Sequence, residues 1–242
     1  MKKQNALKFG LLGVAVLAWA TFAPSASAAT VGQLSVGNCS GGGVTVTMSL
    51  IDWLPASQCI QAGIPTHVTS LMAPLLLNEF SVGTINDISP PSTGFAGFMT
   101  FGSIKLDLVA IGPGTLPDCS VNPGLNKSCS ILLPGLLGIS PFILMQDTGG
   151  TAVTLFAQGT TLDTHDNILS HWNGSFTTQL NSVPGVSDFS PNGISTIILG
   201  GGSITSTYSG TFNISAVPEP VSMALIGGGL IALAALKRRK RV

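Results

Sequence analysis

The chain has 242 residues, and its ten Asp and Glu balance its ten Lys and Arg. The balance is uneven along the chain: residues 29–219 contain all ten acidic side chains but only Lys105 and Lys127 as cations, a net charge of −8. This acidic stretch argues against nucleic acids and anionic polymers as partners, because cationic side chains drive phosphate recognition.

Residues 1–28 have the three parts of a secretory signal peptide. Three lysines lie within the first eight residues, residues 9–20 are apolar, and the small residues 26–28 form a cleavage site that would leave Ala29 as the new N-terminus. We therefore expect the remainder of the chain to be exported.

About 190 residues remain for folding, which is enough for one domain with a hydrophobic core. They are poor in the long polar residues that helices favour and rich in Thr, Ser, Gly, Val and Ile, a composition typical of strands. Residues 44–50 and 103–108 alternate apolar and polar side chains, as half-buried strands do. Residues 153–158 alternate in the same way, except that Phe156 lies at a polar position.

The clearest predicted strand is residues 204–214. Ile204, Tyr208, Phe212 and Ile214 share one parity, and mostly hydroxyl and amide side chains occupy the other, which predicts one buried face and one polar face. Residues 172–180 are predicted to pair with it as an antiparallel neighbour. The predicted fold is mostly β, a single β-sandwich-like domain over residues 29–216.

Between these strands the sequence is less regular. Residues 67–77 are apolar enough for a short helix, although Pro74 interrupts them and a buried loop is the alternative. Residues 111–141 contain Gly and Pro throughout and are predicted to form a long ordered loop. Within residues 188–199 we expect one helical turn.

The four cysteines are Cys39, Cys59, Cys119 and Cys129. An even number in an oxidising compartment favours disulfides, and three connectivities are possible. We favour the sequential pairing, Cys39 with Cys59 and Cys119 with Cys129, because the turn-rich segment between the second pair can bring its ends together. The alternative is a structural zinc site, which lacks a Cys-x-x-Cys pair and clustered His ligands.

A candidate calcium site lies in residues 162–167. Asp163, Asp166 and Asn167 supply the hard oxygen ligands that calcium prefers. The spacing does not match an EF-hand, because the Gly and the terminal Glu are missing. The alternative, which we prefer, is a polar turn in which Asp and Asn side chains hydrogen-bond to their own backbone.

The sequence contains no familiar catalytic motif: no Gly-x-Ser-x-Gly, no His-Glu-x-x-His and no phosphate-binding loop. A carboxylate pair for glycoside hydrolysis would be recognisable only in the fold. Trp53 and Trp172 are candidates for stacking on sugar rings, but we expect a Trp in a small β domain to pack in or beside the core. We therefore predict no catalytic residue and no enzymatic activity.

The C-terminal residues have three parts in a fixed order: a Pro-Glu-Pro triplet, sixteen uncharged residues at 221–236, and a cationic tail. At about 1.5 Å per residue, a helix over the uncharged run spans roughly 24 Å, a little less than a hydrocarbon core of about 30 Å. The cations after it can reach the headgroups and hold that end on the cytoplasmic side. The triplet and the tail consist of Pro218, Glu219, Pro220, Lys237, Arg238, Arg239, Lys240 and Arg241.

This order of features, together with the signal peptide, resembles the PEP-CTERM sorting signal of Gram-negative bacteria. The resemblance covers residues 217–242. It implies that a membrane enzyme, exosortase, recognises the signal and cuts near the triplet, so that the predicted transmembrane helix is a temporary anchor in the inner membrane. The protein would then lie at the cell surface or outside the cell. The alternative is a plain C-terminal membrane anchor.

The resemblance also implies a function: a non-enzymatic surface or extracellular-matrix protein associated with exopolysaccharide or biofilm. Its expected partners are exosortase, the inner membrane for a time, and exopolysaccharide, with no nucleic acid. Two alternatives stay open, a secreted enzyme acting on polysaccharide and a calcium-dependent adhesion module built on residues 163–167. No cofactor is expected apart from the calcium of that module.

Overall fold

The computed structural model describes residues 30–54, 58–70, 77–89, 94–133, 138–163, 168–181, 186–216 and 228–229. The chain divides into two units, and Ala28–Val217 is the unit that contains the strands. Of the other unit, Met1–Ser27 with Pro218–Val242, only Gly228 and Gly229 are described, with helical backbone. The predicted signal peptide and, apart from these two glycines, the predicted transmembrane helix lie outside the described residues. Within the described ranges no helix has the length and apolar character needed to span a bilayer.

Strands dominate the described part of the chain. The first eight are β1 (Thr30–Asn38), β2 (Gly43–Val46), β3 (Ile51–Leu54), β4 (Cys59–Ala62), β5 (His67–Ser70), β6 (Val82–Ile85), β7 (Phe95–Phe101) and β8 (Ile104–Ile111). The others are β9 (Ser128–Cys129), β10 (Leu132–Leu133), β11 (Gly138–Ile139), β12 (Phe142–Asp147), β13 (Gly150–Asp163), β14 (Ile168–Leu180), β15 (Ile204–Ser206) and β16 (Ser209–Ala216). One helix, α1 (Pro191–Leu199), precedes β15.

Eight of the strands form a closed antiparallel sheet. Hydrogen bonding runs in the order β14, β16, β1, β4, β6, β7, β8 and β13, and β13 pairs with β14 to complete the circle. The mostly β prediction is confirmed, but most of the described strands belong to one sheet that closes on itself instead of the two facing sheets of a sandwich, and two smaller sheets accompany it. Alternation in sequence distinguishes the inner from the outer face of a strand and carries no information on which strands become neighbours.

The predicted pairing at the end of the domain is present, because Trp172 of β14 lies opposite Ile214 of β16. The predicted strand 204–214, however, is two strands that belong to different sheets. β15 pairs with β2 in a small sheet with β3, whereas β16 belongs to the closed sheet. The parity pattern holds across the break, since Ile204, Tyr208, Phe212 and Ile214 are all buried.

Three local predictions change. The short helix expected in residues 67–77 is wrong for the described part, because His67–Ser70 is strand β5, paired with β1, and the β-branched Val68 and Thr69 suit a strand. The segment predicted as a long loop contains the short strands β9, β10 and β11. The single helical turn is the nine-residue helix α1, whose N-cap Ser190 accepts a hydrogen bond from Gly193 N at 3.2 Å.

The interior of the closed sheet is filled by aromatic side chains. Trp53 of β3 packs against Phe176 and Tyr208, with ring centroids 4.7 Å apart in both pairs. Trp172 packs against Phe212 at 5.4 Å and is stacked on Phe98 at 6.3 Å. Burying side chains of this size stabilises the fold by about 1.5–3 kcal/mol each. With the core occupied in this way, the candidate binding surface is the outer face of the sheet.

A second apolar cluster lies between α1 and strands β12 and β14. Its buried members are Cys119, Cys129, Ile131, Leu144, Leu180, Ile194, Ile198 and Ile204. An apolar gap of about 40 Å³ between these elements is too small for an organic ligand. This cluster is therefore structural.

Candidate functional site

The predicted sorting and calcium residues lie mostly outside the described ranges. This holds for all eight residues of the triplet and the cationic tail, and for Asp166 and Asn167. Asp163 is the last residue of β13, and its backbone lies opposite Ile104 and Ile168. Within the described ranges, no group of three or more His, Cys, Asp or Glu is placed to hold a metal ion. The calcium site therefore stays a prediction.

Both disulfides are present, with the sequential connectivity. Cys39 is bonded to Cys59 with a Cα–Cα distance of 5.8 Å, and Cys119 to Cys129 with a distance of 5.1 Å. The first bond joins the end of β1 to the start of β4, and the second lies in the apolar cluster below α1. The alternative of a zinc site built from these cysteines is therefore wrong.

The two tryptophans do not form a sugar-binding surface. Trp53 and Trp172 are each only 1% exposed, as expected for core residues. The indole N–H of Trp172 donates to the backbone carbonyls of Asp107 and Thr160, at 3.1 Å in both cases. Both side chains therefore stabilise the interior, and neither indole ring is accessible to a ligand.

A shallow trough of about 660 Å³ lies on the outer face of the closed sheet. Residues 110–113, at and just beyond the end of β8, form one side, and Gly112 N donates to Phe156 O at 2.7 Å to hold that side in place. The rest is lined by side chains and backbone of β13, β14 and β16. None of the lining residues is Asp, Glu, Lys or Arg.

Four amide side chains form a row across neighbouring strands. Gln158 lies opposite Asn173, Asn173 opposite Asn213, and Asn213 opposite Gln33. The first three line the trough and are exposed, whereas Gln33 lies outside the trough and is half-buried. None of the four amides makes a side-chain hydrogen bond to another residue in the part of the chain that the structure describes, so the exposed amides of Gln158, Asn173 and Asn213 are available to water or to a ligand. We call this set the amide row.

A second row beside it contains the exposed aromatic residue of the trough. Phe156 is 47% exposed and lies opposite Ser175, which lies opposite Thr211. This is the residue that the sequence pattern placed at a polar position. In the next row along the strands, the hydroxyls of Thr177 and Ser209 hydrogen-bond to each other at 3.2 Å. Some polar groups of that row therefore have a partner within the sheet, unlike the side chains of the amide row.

Two glycines shape the strands under the trough. A Cβ at Gly174 would lie 2.1 Å from the carbonyl oxygen of Thr211, so only glycine allows β14 to lie this close to β16. A Cβ at Gly159 would lie 1.8 Å from the carbonyl oxygen of Asp107. At Gly159 the register of β13 on β8 also shifts, and a bulge of this kind bends the strand and increases its twist.

The chemistry of this surface is that of binding and not of proton transfer. Amides and hydroxyls donate and accept hydrogen bonds without titrating at neutral pH, and Phe156 adds one apolar ring face. Sequence reasoning did not find the site, because Asn213 is far from Gln158 in sequence and only the strand register places them in one row. The available signal was the exposed position of Phe156.

Residues 216–240 match the family model of the PEP-CTERM protein-sorting motif. The chain carries a PEP-CTERM sorting motif. The resemblance expected from the C-terminal residues is thereby confirmed, and the motif implies exosortase as the processing partner of an exported surface protein. Comparisons with curated proteins and with solved structures found no match.

Proposed function

We propose that this protein is a non-enzymatic surface or extracellular-matrix protein, sorted and processed by an exosortase at its PEP-CTERM motif, whose β domain binds exopolysaccharide. The motif at residues 216–240 supports the sorting part. The observation that supports the binding part is the trough, an outer surface with free amides, hydroxyls and one exposed Phe but no charge.

A polysaccharide presents many hydroxyl groups and apolar C–H faces. Recognition of such a polymer needs a row of hydrogen-bonding groups and an apolar surface beside it, and aromatic side chains supply the second. The amide row and Phe156 supply both on adjacent strands.

The same surface supports a non-enzymatic role. Glycoside hydrolysis uses two carboxyl groups on either side of the scissile bond, and the trough is lined by none. Two carboxylates elsewhere in the described domain bind backbone N–H groups: Asp87 accepts a hydrogen bond from Trp53 N at 2.9 Å, and Asp107 accepts one from Gly97 N at 2.6 Å. The alternative of a polysaccharide-acting enzyme has no such supporting observation.

The test uses the mature protein purified from the producing cells and exopolysaccharide from the same cells. We expect the protein to co-sediment with the polymer and to release no soluble sugar during a long incubation. Release of sugar at a rate proportional to protein concentration would favour the enzyme, and absence of both binding and release would overturn the proposal.

The sorting part has a separate test, the intact mass of the protein recovered from membrane and from medium. We expect the released form to end near residues 217–220. A released form that still contains Val242 would show that the motif does not direct processing.

A further inference from the structure

We infer that the trough is the polysaccharide site and that its ligand is an uncharged glycan, which lies across the strands with one sugar ring on Phe156 and its hydroxyls on the amide row. This inference rests on the proposed function and adds the binding residues and the chemical class of the ligand. Three observations carry it: the charge of the surface, the spacing of the amides and the position of the aromatic ring.

The charge of the surface selects the class of glycan. A site for an anionic polysaccharide needs Lys or Arg to offset the charge of the ligand, and none lines the trough. The stretch of residues 29–219 is acidic, with two cations against ten carboxyl groups, so its field repels polyanions. An uncharged polymer avoids both costs and needs only the hydrogen-bonding groups that are present.

The spacing of the amides selects the direction of the ligand. Neighbouring strands lie about 4.8 Å apart, so the three amides of the row that line the trough, Gln158, Asn173 and Asn213, span about 10 Å perpendicular to the strands. That distance is the length of a short oligosaccharide. A glycan that crosses the strands therefore meets an unpaired amide at each step, whereas one that runs along a strand meets Phe156 and Gln158 of β13 and then no further amide of the row.

The position of Phe156 fixes where a sugar ring stacks. It lies two residues from Gln158 on the same strand and face, so its ring borders the amide row. Exposure alone does not mark a site, because Phe80 is 61% exposed as well. Phe80, however, lies in the turn before β6 and outside the trough. It is therefore the matched control for Phe156.

The experiment measures binding of the mature protein to exopolysaccharide of the producing cells, separated by anion exchange into an uncharged and an anionic fraction. The variants are Phe156→Ala, Asn213→Ala, the conservative Phe156→Trp and the control Phe80→Ala. The three side chains that these four variants replace are all exposed, so melting temperatures close to that of the parent are expected and are measured first.

We expect the parent to bind the uncharged fraction, with affinity about tenfold weaker for Phe156→Ala and several-fold weaker for Asn213→Ala. Phe156→Trp should retain binding, and Phe80→Ala should bind as the parent does. Binding to the uncharged fraction that neither trough variant weakens would overturn the site and leave the proposed function intact.

Two other outcomes are decisive. Binding confined to the anionic fraction would overturn the assigned ligand class. Binding to neither fraction would overturn the proposed function itself. If light scattering shows a parent dimer that Phe156→Ala dissociates, and no fraction competes with it, the trough is an interface between copies of the chain and the inference fails.

Discussion

The indole N–H of Trp172 donates to the backbone carbonyl of Asp107 at 3.1 Å, and this bond joins β14 to β8 across the intervening strand β13. The indole reaches Asp107 because Trp172 lies opposite Gly159, which has no side chain in the way. Trp53 is equally buried, but its indole N–H has no hydrogen-bond partner within the described residues. The two tryptophans thus share burial and differ in hydrogen bonding.

This difference gives a matched pair of substitutions. Trp172→Phe and Trp53→Phe remove similar apolar area from the same core, but only Trp172→Phe breaks hydrogen bonds. We expect Trp172→Phe to lower the free energy of unfolding by about 1 kcal/mol more than Trp53→Phe does. Urea unfolding of both variants measures the difference, and equal losses would show that the indole bonds add nothing to stability.

The space over Gly159 gives a second prediction. In Gly159→Ala, the new methyl group would overlap the carbonyl oxygen of Asp107 and lie 2.7 Å from the Trp172 ring. Overpacking of this kind typically costs about 1–3 kcal/mol. Gly149→Ala is the control, because a Cβ there has no atom within 4 Å. A melting temperature of Gly159→Ala as high as that of Gly149→Ala would contradict the close approach of β13 and β8.

The two disulfides differ in burial. Cys119 and Cys129 are at most 1% exposed, whereas Cys39 and Cys59 are half-buried. Because thiol–disulfide exchange requires access to sulfur, we expect a low concentration of dithiothreitol under native conditions to cleave Cys39–Cys59 first. Alkylation and peptide mass spectrometry identify the bond that opens. Earlier cleavage of Cys119–Cys129 would mean that the cluster below α1 opens more readily than the end of β1.

Removing either disulfide should also lower stability. The bonds close segments with sequence separations of 20 and 10 residues, and closing loops of this length stabilises a fold by roughly 2–4 kcal/mol. We expect a loss of that order for Cys119→Ala with Cys129→Ala in urea unfolding. An unchanged midpoint would show that this bond adds no net stability to the fold.

The carboxylate of Asp147 gives a pH dependence with a definite sign. The backbone N–H of Thr148, the side chain of Gln179 and the hydroxyl of Thr148 donate to it and hold the pKa of Asp147 below its ordinary value. A carboxyl group with a lower pKa in the folded state contributes stability above its unfolded pKa of about 3.9 and loses it as the pH falls through the folded pKa.

Asp147→Asn keeps an acceptor oxygen but does not titrate. We therefore expect its free energy of unfolding to fall less steeply than that of the parent when the pH is lowered from about 5 to about 2. Urea unfolding at several pH values gives both slopes. Parallel curves would show that Asp147 has the same pKa in the folded and the unfolded chain, which would contradict the effect of these hydrogen bonds.

Local sequence patterns predicted what one strand or one short loop can determine by itself. The alternation around Phe212 gave the correct buried face of β16, and the turn-rich segment between Cys119 and Cys129 gave the correct disulfide. The error in residues 67–77 has a tertiary cause, because the apolar composition fits a helix or a strand and pairing with β1 decides for the strand.

The closure of the sheet and the amide row could not be predicted in the same way. Both depend on register between strands that are distant in sequence, such as Asn173 opposite Asn213. An Asn at a polar position of a strand looks the same in sequence whether or not its neighbours across the sheet are amides. In the sequence, Phe156 was recognisable as an apolar residue at a polar position. Its place beside the amide row became clear only from the pairing of β13 with β14.

The sorting motif gives the last prediction. If exosortase recognises the Pro-Glu-Pro triplet, replacing Pro218, Glu219 and Pro220 by Ala should leave the full-length protein in the inner membrane and remove the released form. β16 ends at Ala216, so the closed sheet does not include the triplet, and we expect the variant to keep the disulfides and the melting temperature of the parent domain. If the variant is then not released, the cause is the loss of recognition by exosortase and not misfolding of the domain.

A matched control changes the same motif without changing its chemistry. Lys237→Arg keeps the positive charge that holds the end of the predicted helix on the cytoplasmic side, so its release should equal that of the parent. Intact masses from membrane and medium give the C-terminus of each form. Equal processing of the triple Ala variant and the parent would show that the cut does not depend on the triplet, and the C-terminal segment would then be a plain membrane anchor.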